Sequence, residues 1–429
     1  MSGGLQHTRR VLADSLRGLE RNALLLASEA SLSAAAGVAS AFGGILILRL
    51  GASNSLIALM SSLPALVSML LYVPAGLFLQ KRTSLVPWVV ASLLVFRALY
   101  LMIGLGPSLF HQNLVVAIGI LMMLTTLPNI LVSVGFGPLM ADAIPASNRA
   151  SVLTWRVTLG NGTGALLVFL AGRWLDSYGR FPLNYQLLYI ICVVIGLAHA
   201  WVVSRIKVPP QNVAPKELAP SPASSERKIP GWTLLRENPA FARLMVNKFI
   251  YDVGVTMAGP LLGIYYVRQL GASDTWLGAV NTLTNVGMVT GYWAWRKLTR
   301  RLGENRSLWY GLPFAASFTL LAAFIPNLTW ILVLQLVTVL LGAGASLSLD
   351  MLYLDVLPSG QKATATGLYT TAFSIGGVVL PLLGIALMDW VGLVPALALC
   401  GVLRLVGAAM FYLRPVRPSK AEPSVSPST

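Results

Sequence analysis

The chain has 429 residues, of which 56% are hydrophobic and 11% charged, and it carries a formal net charge of +16. Its mean hydropathy is +0.72, a balance that excludes an ordinary water-soluble domain, in which about a quarter of the residues are charged. The basic excess by itself suits either nucleic acid or an anionic lipid surface, so the positions of the charges decide.

The first twenty residues are polar and basic, with Arg9, Arg10 and Arg17 among them, and no cleavable signal is expected there. Twelve apolar runs of about 20 residues then begin near Asn22, Asn54, Leu85, Gln112, Ala150, Leu183, Phe241, Thr275, Leu308, Leu328, Ala363 and Leu393. Each is long enough, at about 1.5 Å per residue, to cross a hydrocarbon layer of roughly 30 Å. The first carries Glu29, Ser33, Ala36 and Ser40 at helical spacing, so small and polar groups share one face. It closes on "RLGAS", where Gly51 lets the chain turn and Ser53 caps the next helix. Arg97 falls in the third run; Thr126, Asn129 and Ser133 share a face of the fourth. The fifth has Trp155, Arg156, Thr158 and Asn161, with Arg156 placed to pair with Glu29 or Asp350, and the spaced glycines Gly160 and Gly164. The sixth holds Cys192, read as packing, and His199.

Residues 206–230, "IKVPPQNVAPKELAPSPASSERKIP", are too rich in Pro, Ser and charge to bury a core and are read as a linker. In the seventh run Asn247, Tyr251, Gly254 and Ala258 form a stripe, with Lys248 and Asp252 four apart beside it, an ion pair or a coupling site. The second "LGAS", Gly271 to Ser273, precedes the eighth run, which carries Asn281, Asn285, Gly287 and Gly291. Gln335, Thr338, Gly342, Ser346 and Asp350 follow one face of the tenth; Cys400 and Arg404 lie in the twelfth.

The two LGAS copies are 220 residues apart. At an offset of 213, "DAIPASNRA" (142–150) aligns with "DVLPSGQKA" (355–363), Asp176 with Asp389, Gly179 with Gly392, Thr125 with Thr338 and Ser133 with Ser346. Separated matches in one order mean that a six-helix unit was duplicated in parallel. The expected division is a first bundle at 1–205, the linker at 206–230, a second bundle at 231–414 and a disordered tail at 415–429. With both termini on one side, that side receives the N-terminal arm, Lys81, Arg82, Arg149, the linker, the 296–306 cluster, Lys362 and the tail. The other keeps Arg49, Arg173, Arg180 and Arg268. By the positive-inside rule both termini are cytoplasmic, and the basic charge faces anionic lipid there. Nucleic acid is excluded as a partner because no folded basic and aromatic surface is present. No nucleophile elbow, metal-ligand spacing or phosphate loop occurs, so neither an enzyme nor a cofactor or metal is expected.

Twelve spans in two repeated halves, with a basic loop after the second span of each, resemble the major facilitator superfamily over nearly the whole chain. The loop is similar to the family's G-x-L-x-D-R-x-G-R-K: "GLFLQKRTS" keeps Gly76, Lys81 and Arg82 with Gln80 for the Asp, and "RKLTRRLGENR" keeps Leu298, Arg301, Gly303 and Arg306 with Arg300 for it. The resemblance implies an all-α membrane fold of two pseudo-symmetric six-helix bundles that moves a small organic solute by alternating access. Gly76, Lys81, Arg82, Asp142, Arg149, Arg301, Gly303 and Asp355 are then the expected conformational loops. It also places Arg97 and Arg404 on outer helices, paired within their halves, and the glycine pairs of the fifth and eighth spans on a sliding surface between halves. The family's antiporter glycine series is absent from "LGNGTGALLVFLAG".

Ionisable groups retained in lipid are functional candidates. Glu29, Asp252 and Asp350 are the expected proton-coupling acids. Ser33, Asn129, Ser133, Asn161, Asn247, Tyr251, Asn281, Asn285, Gln335, Thr338 and Ser346 are the expected solute pathway, suited to a neutral or weakly charged amphipathic solute. A monomeric, proton-coupled permease of the plasma membrane is the first reading. An uncoupled facilitator and a non-transporting receptor or scaffold remain open beside it.

Overall fold

The computed structural model describes residues 21–110, 112–144, 146–208, 231–358 and 362–416. The expected N-terminal arm, nearly all of the linker and the tail lie outside the described residues. Twelve long helices account for most of what is described. They are α1 (Arg21–Arg49), α2 (Asn54–Gln80), α3 (Val86–Leu109), α4 (Leu114–Leu124 continuing as Thr126–Ala143), α5 (Ala146–Tyr178) and α6 (Leu183–Ser204). After a short helix at Gly231–Glu237 come α7 (Pro239–Ile264, ending in a π-turn), α8 (Asp274–Leu302), α9 (Glu304–Phe324), α10 (Leu328–Val356), α11 (Lys362–Val391) and α12 (Leu393–Leu413). Ten of them are long and apolar enough to cross a membrane. The other two, α5 and α8, have 33 and 29 residues and reach roughly 50 and 44 Å at 1.5 Å per residue. Their exposed Thr158, Asn161, Asn281 and Asn285 lower their apolarity. Length admits them to the bilayer; their polar rows set them apart.

The repeated LGAS turns are built as the sequence dictates. Gly51 and Gly271 take φ of 84° and 62°, a left-handed backbone that a Cβ disfavours. Two residues on, the Ser53 hydroxyl accepts the Leu56 N–H and the Ser273 hydroxyl accepts the Trp276 N–H, each at 3.2 Å. Replacing either serine by alanine is expected to lower stability by about 1 kcal/mol, the ordinary loss for an N-cap, read as a fall in the thermal midpoint of the purified protein.

By packing, the described residues form two compact units, one drawn from 1–215 with 271–282 and one from 216–270 with 283–429. In the first unit α3 lies against α6 and α4, and α2 against α4; in the second α9 lies against α10 and α12, and α7 against α11 and α12. The start of α8 joins the first unit because α5 and α8 meet there without side chains between them. A Cβ on Gly172 would lie 2.4 Å from the Asp274 carbonyl oxygen, and one on Gly278 would lie 2.9 Å from that of Val168. Asp176 at the end of α5 then accepts the backbone N–H groups of Asp274 and Thr275 at 2.9 and 2.6 Å, satisfying free donors of the helix start. Asp274, fully buried, binds the Arg49 guanidinium at 3.0 Å and accepts the Tyr185 hydroxyl at 2.6 Å.

The glycine pairs expected on a sliding surface between halves pack inside their own units. Gly160 and Gly164 face Ala30 and Ala34 of α1, while Gly287 and Gly291 face Val339 and Ala343 of α10. Their spacing does bring helices close; the sequence does not say which partner fills the groove.

Two helices of the first unit are interrupted within their length. At Gly37 the α1 ladder tightens, its N–H reaching both Ser33 and Ala34 carbonyl oxygens. At Thr125 the α4 ladder is interrupted, three residues before Pro128, which lacks an N–H and crowds the carbonyl of the preceding turn. Gly37 and Thr125 both line the cavity described next.

Candidate functional site

The first unit holds a cavity of about 740 Å³ lined by α1, α3, α4, α5 and α6. From α1 come Glu29, Ser33, Gly37 and Ser40, the face set by the helical spacing of the first apolar run. From α4 come Thr125, Thr126, Asn129, Ser133 and Gly137, again one face. Adjoining it, Leu26, Val89, Leu139 and Val203 belong to one buried apolar cluster with Leu93 and Phe136 of the cavity wall.

Glu29, 1% exposed, holds the ionic centre of this cavity. Its Oε2 accepts Arg156 Nε at 2.8 Å, and its Oε1 accepts Arg156 Nη2 at 3.4 Å and lies 3.1 Å from His199 Nε2. Charge-assisted bonds of this kind hold a carboxylate firmly. The Arg156 guanidinium also lies 4.2 Å from the Phe136 ring centroid and is about a quarter exposed, so one side of the pair faces the cavity. His199 faces inward because Cys192, Gly196, His199 and Val203 form the buried stripe of α6. That stripe was the available signal, since its spacing puts the imidazole on the face that packs inward.

Arg97 was expected to pair within its half. It is 4% exposed, its Nη1 donates to the Ala36 carbonyl oxygen at 3.0 Å, and its Nε has no partner. The side chain crosses α6 at Gly196, where a Cβ would lie 2.0 Å from Nε. Gly196→Ala must push the guanidinium aside and is expected to cost about 1 to 3 kcal/mol of stability, as overpacking does, checked by the thermal midpoint. Phe96 and Tyr100 flank the guanidinium, with ring centroids 5.1 and 5.5 Å from Cζ.

The other candidates are dispersed. Asp252 bonds Lys248 Nζ at 2.6 Å, the pair being about a quarter exposed; Asp350 is exposed at the far end of α10. Asn247, 1% exposed, donates to the carbonyl oxygens of Met410 and Arg414 at the end of α12. Asn22 does the same in its own half, donating to the carbonyl oxygens of Ala143, the last residue of α4, and Lys207, after α6. Tyr251 accepts Arg404 Nη2 at 2.9 Å, and Arg404 Nη1 reaches Thr319 at 3.4 Å. Gln335 donates to Thr284 at 2.9 Å; Thr338 is buried with its hydroxyl bonded back to Leu334, as Thr125 is to Met122. Ser346 is half-buried on the same helix, and Asn161, Asn281 and Asn285 are exposed.

In the loops, Gly76 and Lys81 close α2, and Arg82 stacks between Phe78 and Trp88, 4.3 and 4.6 Å from their centroids. An aromatic cleft thus serves the Arg82 cation. Gly303 turns with φ of 79° beside exposed Arg301; Asp142 is half-buried and Asp355 exposed. Arg149 lies in the first turn of α5, and its side chain is outside those described. Among the described residues no group of three or more His, Cys, Asp or Glu could hold a metal ion.

The family model described as Major Facilitator Superfamily matches residues 23–349 and 244–428. A bacterial homolog of the human lysosomal transporter Spinster, inward-facing and unoccupied, is 13% identical with a TM-score of 0.67, covering 92% of this chain and 96% of that one. The nucleoside transporter NupG is 10% identical with a TM-score of 0.70, at 91% and 99% coverage. A bacterial homologue of the iron transporter ferroportin, inward-facing, is 16% identical with a TM-score of 0.66, at 92% and 99% coverage. Comparison with curated protein sequences gives no match. With the family matched along the chain and these transporters sharing its architecture, the protein is a multi-pass membrane protein of the major facilitator superfamily.

Proposed function

We propose that the protein is a secondary transporter that moves a small organic solute by alternating access, coupled to protons through Glu29. The observation that carries this reading is the buried Glu29 carboxylate, held by Arg156 and His199 on the wall of a polar cavity. Protonating Glu29 removes its negative charge and weakens its hold on Arg156, which changes the balance of forces between α1, α5 and α6. A proton gradient can drive a cycle only through such a group, one whose charge state is tied to helix packing. The pair Lys248 with Asp252 is a less suitable carrier, because each member neutralises the other within one helix turn.

The basic loops support cytoplasmic termini, with anionic lipid at that face; a plasma membrane and a monomeric working unit complete the proposal. Purified protein in liposomes with an imposed pH gradient, offered labelled amino acids, sugars, nucleosides and carboxylates, tests the function. Accumulation of at least one, collapsing with a protonophore, is the expected result. Equilibration without accumulation would favour the uncoupled facilitator, and no movement of any solute the scaffold.

A further inference from the structure

Resting on the transport reading above, we infer that the cavity of the first unit binds an organic carboxylate, its charged group on Arg97 and its apolar body against Phe96 and Tyr100. Three observations carry this. Arg97 lines the cavity, is 4% exposed and has a single backbone acceptor, Ala36, although buried guanidinium groups ordinarily have several of their donors satisfied. Among the described residues no carboxylate pairs with it. The one acid in the cavity, Glu29, is already bonded to Arg156 and His199.

The charge count points the same way. The ionisable lining consists of Glu29, Arg97, Arg156, His199 and Tyr100. Two guanidinium groups, Arg97 and Arg156, face the single carboxylate Glu29, an excess of cationic groups that matches an anion and disfavours a cation. A guanidinium fits a carboxylate in a two-bonded fork, and the flanking rings favour an apolar body over a hydrated inorganic ion. Ser40 and Asn129 at the same cavity supply neutral polar groups. Gly196 on α6 makes the site possible, since any side chain there would displace the guanidinium from its place across that helix.

The arginine of the second unit behaves differently. Arg404 Nε, like that of Arg97, has no partner, but its Nη1 and Nη2 donate to the Thr319 and Tyr251 side chains, where Arg97 has only a backbone acceptor. The expectation of a binding site therefore attaches to Arg97 alone.

The test is equilibrium binding to the full-length protein in nanodiscs, by thermal midpoint and intrinsic fluorescence, with acetate, butyrate, hexanoate, benzoate and 3-phenylpropanoate as probes. Saturable binding of at least one aromatic carboxylate is expected, with its neutral amide bound about tenfold more weakly or worse. Arg97→Gln should weaken carboxylate binding by about 30-fold or more and Arg97→Lys by about tenfold. The comparison of acid with amide needs no variant, so a folding defect in Arg97→Gln leaves it intact. Equal binding of acid and amide, unchanged affinity in Arg97→Gln, no binding by any of the five acids, or the same saturable shift from chloride alone would each overturn the assignment. Binding is read at equilibrium with no pH gradient, so saturable carboxylate binding by a protein that shows no proton-driven accumulation would leave this site standing and count against coupling only.

Discussion

Glu29→Gln should bring pH-gradient-driven accumulation down to the level of protein-free liposomes while solute exchange across the same vesicles continues. Glutamine keeps the shape and an acceptor for Arg156 and His199, yet it has no proton to gain or lose at neutral pH. The variant should still fold. Arg156 is about a quarter exposed and lies over the Phe136 ring, so its unpaired charge stays partly solvated by the cavity; a loss of about 1 to 3 kcal/mol is expected. Glu29→Ala should destabilise more, because it also empties the space between α1, α5 and α6. Parallel measurement of accumulation, exchange and thermal midpoint distinguishes a coupling role from a packing role. A merely structural glutamate would lose all three together.

The second large effect belongs to Asp274. Its carboxylate is fully buried, with Arg49 at 3.0 Å and the Tyr185 hydroxyl at 2.6 Å on one oxygen. Asp274→Ala strands a buried phenol and a partly exposed guanidinium, and is expected to destabilise by about 2 to 4 kcal/mol. Arg49, with about a quarter of its side chain exposed, recovers some hydration, so the phenol carries much of the loss. Tyr185→Phe alone removes one donor and should cost less. In the double variant the two losses should add to clearly less than their sum, because both report one shared bond. Additive losses in thermal or denaturant unfolding would mean that the two side chains act independently.

Much of the architecture is legible in the sequence. Span length and the 220-residue repeat rest on hydrophobicity and order along the chain, which folding preserves. The LGAS turns are legible because a glycine at positive φ followed by a capping serine is local chemistry. The α1 and α4 cavity faces are legible for the same reason, since Glu29 with Ser33 and Asn129 with Ser133 are one turn apart. What the sequence withholds is convergence between helices. Arg97 and His199 come from α3 and α6, and their approach to α1 depends on how those helices are rotated, which Gly196 permits but does not announce. Asn247 shows the opposite case. It shares a stripe with Tyr251, yet its amide closes the open carbonyls of α12, a role recognisable only once the end of that helix is in place. The spaced glycines likewise mark close packing without naming the neighbour.

Whether Glu29 exchanges a proton in each transport cycle is tested most directly by solute-driven proton movement. Liposomes holding the protein and a trapped pH-sensitive dye, with no initial pH gradient, are given an inward gradient of each labelled solute. Internal acidification that tracks solute entry is expected for the native protein, and entry without acidification for Glu29→Gln. Equal acidification in both, or solute entry by the native protein with no proton movement, would contradict Glu29 as the carrier.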